Sequence, residues 1–102
     1  MRRDERRFMK KNRTIEIGHV VRSVAGRDRK RVFLVVGIDE NDPLCPIEIA
    51  NGELRSLGDR KHKNPRHLKV IATVSDDERN ALKNGMDDCL IAAICRKYDI
   101  IQ

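Results

Sequence analysis

Ile17-Gly18-His19-Val20-Val21-Arg22-Ser23-Val24-Ala25-Gly26-Arg27-Asp28-Arg29-Lys30-Arg31-Val32-Phe33-Leu34-Val35-Val36 is the stretch that decides how this 102-residue chain folds. Two runs rich in β-branched residues flank a short segment holding one glycine and four cations. Branched side chains suit an extended backbone and glycine supplies the positive φ of a tight turn, so the stretch predicts a β-hairpin. Its tip carries Arg27, Arg29, Lys30 and Arg31, with Arg22 just before it and Asp28 as the one acid among them. These cations cannot all be neutralised within the turn, so several must project outward. Guanidinium groups hold pairs of phosphate oxygens well. An ordinary solvated hairpin tip accounts for the same residues.

On the N-terminal side, Thr14 to Val24 reads as the first strand. Val32 to Ile38 is apolar on both alternating sets, the pattern of a short strand buried on both faces. Asp39 to Pro46 follows as a loop with two prolines and three acids, Asp39, Glu40 and Asp42. Next, Ile47 to Leu57 alternates on both sides of Asn51-Gly52, the preferred two-residue turn. It predicts a second hairpin with Ile47 and Ile49 on one face and Glu48 on the other. Gly58 to Arg66 reads as a polar loop. It contributes a second group of cations, Arg60, Lys61, Lys63 and Arg66, together with His62, and His67 follows. Leu68 to Val74 supplies a fifth strand. Five short strands with few residues to spare suggest a small closed or half-closed barrel, since closure removes exposed edges.

Beyond the strands, Ser75 with Glu78 forms a capping-box signal, and Gly85 marks the end of a first short helix in the left-handed conformation. Asp87 or Asp88 can cap a second helix, on which Leu90, Ile91, Ile94, Cys95 and Tyr98 recur at helical spacing. The expected architecture is therefore mainly β. Residues 1–13 form a flexible basic arm or a helix that forms on a partner, 14–74 a five-stranded barrel, and 75–102 a helical appendage packed on it.

The opening stretch also resembles a known motif. An apolar-Gly-x-Val-Val start, a second glycine at Gly26, a basic loop and the strand Val32-Phe33-Leu34-Val35-Val36 look like the KOW motif of ribosomal and transcription-elongation proteins. Ala25-Gly26-Arg27-Asp28 is most similar to bacterial KOW-domain proteins related to archaeal and eukaryotic large-subunit ribosomal protein fourteen. The resemblance spans roughly residues 15 to 70. It implies an SH3-like barrel and RNA, in particular ribosomal RNA, as the partner. Lys30 departs from the pattern, because many such segments carry glycine there.

Charge narrows the functional classes. The chain has 22 Lys and Arg against 16 Asp and Glu. Residues 1 to 74 hold 18 of those cations and 10 of the acids, whereas residues 75 to 102 hold four and six. A field of this sign concentrates phosphate polyanions, and it equally suits a soluble basic surface. With only Phe8, Phe33 and Tyr98 as aromatics, binding by base stacking is disfavoured. Three cysteines, Cys45, Cys89 and Cys95, without a Cys-x-x-Cys suggest a reduced, intracellular chain and small buried roles for Cys89 and Cys95. No apolar run reaches membrane-spanning length, so the expectation is a soluble, cytoplasmic protein with no membrane partner. His19, His62 and His67 have no thiol or carboxylate at ligand intervals, so no metal or cofactor is expected. No nucleophile, base and glycine-turn constellation indicates an enzyme.

These readings combine into an RNA-binding module that grips phosphates with Arg22, Arg27, Arg29, Lys30, Arg31, Arg60, Lys61, Lys63 and Arg66. The competing expectation is a protein-interaction module, with a ribosomal or transcription-factor partner on the apolar face around Leu90, Ile91 and Ile94. A homodimer through that tail is the third.

Overall fold

In the computed structural model, residues 15–27 and 29–101 are described; the basic arm expected over residues 1–13 lies outside them, as does Asp28. Five strands, β1 (His19–Ser23), β2 (Val32–Ile38), β3 (Ile47–Ala50), β4 (Lys61–Lys63) and β5 (Leu68–Thr73), precede two helices, α1 (Asp76–Asn84) and α2 (Asp88–Ile101). The strands form one antiparallel sheet in the order β4-β3-β2-β1-β5. The chain is thus mainly β, a small barrel-like sheet with C-terminal helices.

The sheet buries both of its faces, as the unbroken apolar run of β2 requires. Val21, Phe33, Val35, Ile47, Ile49 and Leu68 pack together on one face. Val20, Leu34, Val36 and Ala50 point the other way and pack against Leu82 of α1 and Ile91, Ile94 and Cys95 of α2. A fully buried leucine or phenylalanine stabilises by about 1.5–3 kcal/mol, so this second layer anchors the helices to the sheet. The apolar helix face expected to await a partner is consequently used inside the protein: Ile91 is wholly buried and Ile94 is buried beside it.

Two strand boundaries differ from the sequence reading. The first strand begins only at His19, because Glu16 to His19 is a turn. Its backbone is closed by His19 N donating to Glu16 O and Glu16 N donating to His19 Nδ1, with Gly18 at φ 97°. The partner of β3 is not Glu53 to Leu57 but β4, registered Ile47 to Lys63, Glu48 to His62 and Ile49 to Lys61. Asn51-Gly52 therefore opens a long connection rather than forming the tip of a two-residue hairpin. Part of the expected polar loop, Lys61 to Lys63, is itself a strand. Ile47 and Ile49 do share one buried face, with Glu48 on the other.

Gly52 has a tertiary cause. A Cβ there would lie 2.2 Å from the Asp88 carbonyl oxygen and 2.8 Å from Ala92 N, so only glycine lets the first turn of α2 come this close. Asp88 Oδ1 in turn accepts from Leu57 N at 2.7 Å, tying the same connection to the helix start.

The helix signals are realised closely. Ser75 Oγ accepts from Glu78 N and Glu78 Oε1 accepts from Ser75 N, completing the capping box of α1. Gly85 closes that helix by donating to Ala81 O and Leu82 O, at φ 158° and ψ 114° rather than in the left-handed well expected for it. Of the two candidate caps for α2, Asp87 takes the role, its Oδ1 accepting from Leu90 N at 2.8 Å. Glu78 also clasps the helices together by accepting from Lys97 Nζ and Tyr98 Oη. Partial burial pushes its carboxyl up, but the donors at Ser75, Lys97 and Tyr98 together outweigh this and hold it at about 2.

Cys95 is buried against Ala50, and burial pushes its thiol up to about 12. Cys89, expected to be buried as well, is exposed, because six residues of helix turn it to the outer face. Among the described residues no helix is long and apolar enough to cross a membrane.

Candidate nucleic-acid interface

The β1–β2 turn is closed by Lys30 N donating to Ser23 O and Ser23 N donating to Arg31 O. Inside it Gly26 stands at φ 77° and Lys30 at φ 72°, the latter being the one described non-glycine residue with positive φ. Lys30 thus holds a backbone conformation that glycine adopts without strain, at the position where the sequence departs from the KOW pattern. The side chains of Arg27, Arg29, Lys30 and Arg31 are carried outward by this turn, and all four residues are exposed.

The second basic turn meets the first. Val24 N donates to His67 O at 2.9 Å, and Lys63 Nζ donates to Ala25 O at 3.3 Å, so the chain between β4 and β5 is bonded directly to the β1–β2 turn. Ser23 Oγ donates to the same Ala25 carbonyl. Within the β4–β5 turn, Asn64 Oδ1 accepts from Arg66 N at 2.9 Å and sets Arg66 and His67 on the exposed side. Among the described residues, no carboxylate lies within ion-pair distance of Arg27, Arg29, Lys30, Arg31 or Arg66.

The remaining cations named from the sequence have other positions. Arg22 faces the helices and is occupied there, donating to Lys30 O and, at 3.3 Å, to Asp99 of α2. Asp99 lies 77 residues away in sequence, which is why Arg22 reads as unpartnered in the one-dimensional pattern. Arg60 donates to Glu48 Oε1 at 2.8 Å and to Leu57 O, holding the Asn51–Arg60 connection against β3. Lys63 is 7% exposed and shares a buried face with Ile47, so its stem fills the core while its ammonium reaches Ala25 O. These three are structural cations. Lys61 lies on β4 with intermediate exposure, away from the joined turns in its register with Ile49.

One cluster escaped the sequence reading altogether. His62 stands directly opposite Glu48 across the β3–β4 pair, and the loop after β2 brings Asp39 and Asp42 to the same ring. Its Nδ1 lies 4.0 Å from Asp39 Oδ2 and 3.8 Å from Asp42 Oδ2, and its Nε2 lies 3.9 Å from Glu48 Oε2. The acids of the 39–46 loop and His62 are far apart in sequence, and only strand register joins them.

No family model matches this sequence. Over 76 residues, 74% of the chain, it is 32% identical to the bifunctional protein GlmU of Agrobacterium fabrum. The chain spans 16% of that relative's length.

Proposed function

We propose that this chain is an RNA-binding module of the KOW type that holds the phosphate backbone, ribosomal RNA being the expected target, with Arg27, Arg29, Lys30, Arg31 and Arg66. The supporting observation is the junction of two basic turns through the Val24–His67 and Lys63–Ala25 hydrogen bonds, with exposed cations that have no carboxylate within ion-pair distance among the described residues. A polyanion is the ligand that neutralises such a cluster. The hydrogen-bonded turns carry the guanidinium groups on one side, and few aromatic rings are available, so recognition rests on backbone shape and charge. Arg22, Arg60 and Lys63 contribute by fixing the scaffold.

Binding of a fluorescein-labelled RNA hairpin to the full chain tests this reading. Affinity should fall about tenfold or more as salt rises from roughly 50 to 200 mM, because several counterions are released. Arg27→Glu with Arg29→Glu should weaken binding at least about tenfold. Arg79→Glu with Lys83→Glu on α1 changes net charge equally and should leave affinity nearly unchanged. Equal losses in the two double variants would reduce the effect to net charge and overturn the site.

A further inference from the structure

We propose that Asp39, Glu48 and His62 form a binding site for a divalent first-row transition metal ion, best matched by Zn2+, with Asp42 beside the imidazole as a further negative charge. One ligand atom from each of the first three residues lies within 4.8 Å of the other two. His62 Nδ1 stands 4.0 Å from Asp39 Oδ2 and 3.8 Å from Asp42 Oδ2, and Nε2 stands 3.9 Å from Glu48 Oε2, all beyond hydrogen-bond range. Donors that share one zinc at about 2.0–2.2 Å each lie roughly 3–4 Å apart, and one ring nitrogen serves one ion, so the carboxylate on the other side of the ring closes onto the ion by a side-chain turn from within 4.8 Å.

Each carboxylate is held by one oxygen and turns the other toward the ring. Asp39 Oδ1 accepts from Asn41 N, Asp42 Oδ1 accepts from Cys45 N, and Glu48 Oε1 accepts from Arg60. The free oxygens are Asp39 Oδ2, Asp42 Oδ2 and Glu48 Oε2, the three that face His62. Anchored second oxygens are what orient carboxylate ligands in protein metal sites. Gly37 keeps the cradle open, since a Cβ there would lie 2.5 Å from Glu48 Oε1 and 3.2 Å from the Arg60 guanidinium. Arg60 neutralises one of the three carboxylates, leaving an excess of two negative charges that a divalent cation offsets. An imidazole among oxygen donors favours zinc and its neighbours over magnesium or calcium.

Titration calorimetry of the full chain with zinc chloride should give one ion per chain, and Co2+ should give visible absorption bands of low coordination number. His62→Ala and Asp39→Asn should each weaken binding at least about tenfold. His62 is exposed, and the asparagine keeps an oxygen for Asn41 N, so neither change should prevent folding. Cys45→Ser with Cys89→Ser should retain the wild-type isotherm. The proposal is overturned by absence of saturable Zn2+ binding, by unchanged affinity in His62→Ala, or by loss of binding in the cysteine variant.

Discussion

The β1–β2 turn and the Asn51–Arg60 connection have the same local ingredients and opposite fates. Each holds a glycine at positive φ, Gly26 at 77° and Gly52 at 79°, and each is rich in charge. Around Gly26 there is space: a Cβ would meet only Lys63 Nζ, at 3.8 Å. Gly52 is pressed beneath α2. Their charges divide the same way, because Arg55 pairs with Asp59, Arg60 with Glu48 and Glu53 with Arg96, while Arg27, Arg29 and Arg31 have no described acid within ion-pair distance. A turn packed under a helix has its charges satisfied by the fold, and a turn left in solvent keeps them for a partner.

The sharpest way to break this comparison is to add one methyl group at each glycine. Gly52→Ala should cost about 3 kcal/mol or more in denaturant unfolding, since backbone strain and overlap with Asp88 and Ala92 act together. Gly26→Ala, strained in φ but not crowded, should cost about 1 kcal/mol. Equal losses would mean that the approach of α2 does not distinguish the two turns.

Lys63 and Arg66 extend the contrast to neighbouring cations. Lys63→Ala removes a buried stem and the bond to Ala25 O, and should lower stability by about 2 kcal/mol. Arg66→Ala should stay within about 0.5 kcal/mol of wild type and act on RNA affinity instead. Thermal melts and the RNA titration, run on both variants, separate the roles.

On the far side of the helices, Glu78 tests whether paired charge carries stability. Its carboxyl is held at about 2, below the ordinary value of 4.5 that the unfolded chain retains. Its contribution is therefore fully present above pH 4.5 and lost as pH falls through that window toward 2. Glu78→Gln should flatten this part of the acid-unfolding profile at a cost of about 1 kcal/mol near neutrality. A profile as steep as that of wild type would remove Glu78 from the account.

The smallest effect is expected at Lys30. Replacing it with glycine relieves the positive φ, and should raise stability by about 0.5 kcal/mol while slightly lowering RNA affinity through the lost cation. A loss of stability in Lys30→Gly would show that the lysine side chain makes a stabilising contact.

Much of this fold is legible along the chain because its signals are local. The run from Val32 to Ile38 is apolar at every alternation, and it is the strand buried on both faces. Ser75 and Glu78 meet within one helical turn, so their spacing alone marks the start of α1. Asn51-Gly52 misleads for a corresponding reason: a positive-φ glycine reads the same whether a hairpin or an approaching helix requires it. The candidate interface was half visible. Exposed tip arginines follow from their turn, but Arg22, Arg60 and Lys63 are claimed by residues remote in sequence, Asp99, Glu48 and Ala25.

By itself, the order of residues determined the strand-forming runs, the helix caps, the basic character of the first three quarters and the apolar stripe of α2. Periodicity, propensity and net charge are properties of neighbours along the chain. Tertiary structure alone decided which cations stay free, which glycine is crowded, that the two basic turns touch, and that His62 stands among three carboxylates. Each of those depends on distances between segments brought together by register and packing, and no local pattern encodes such distances.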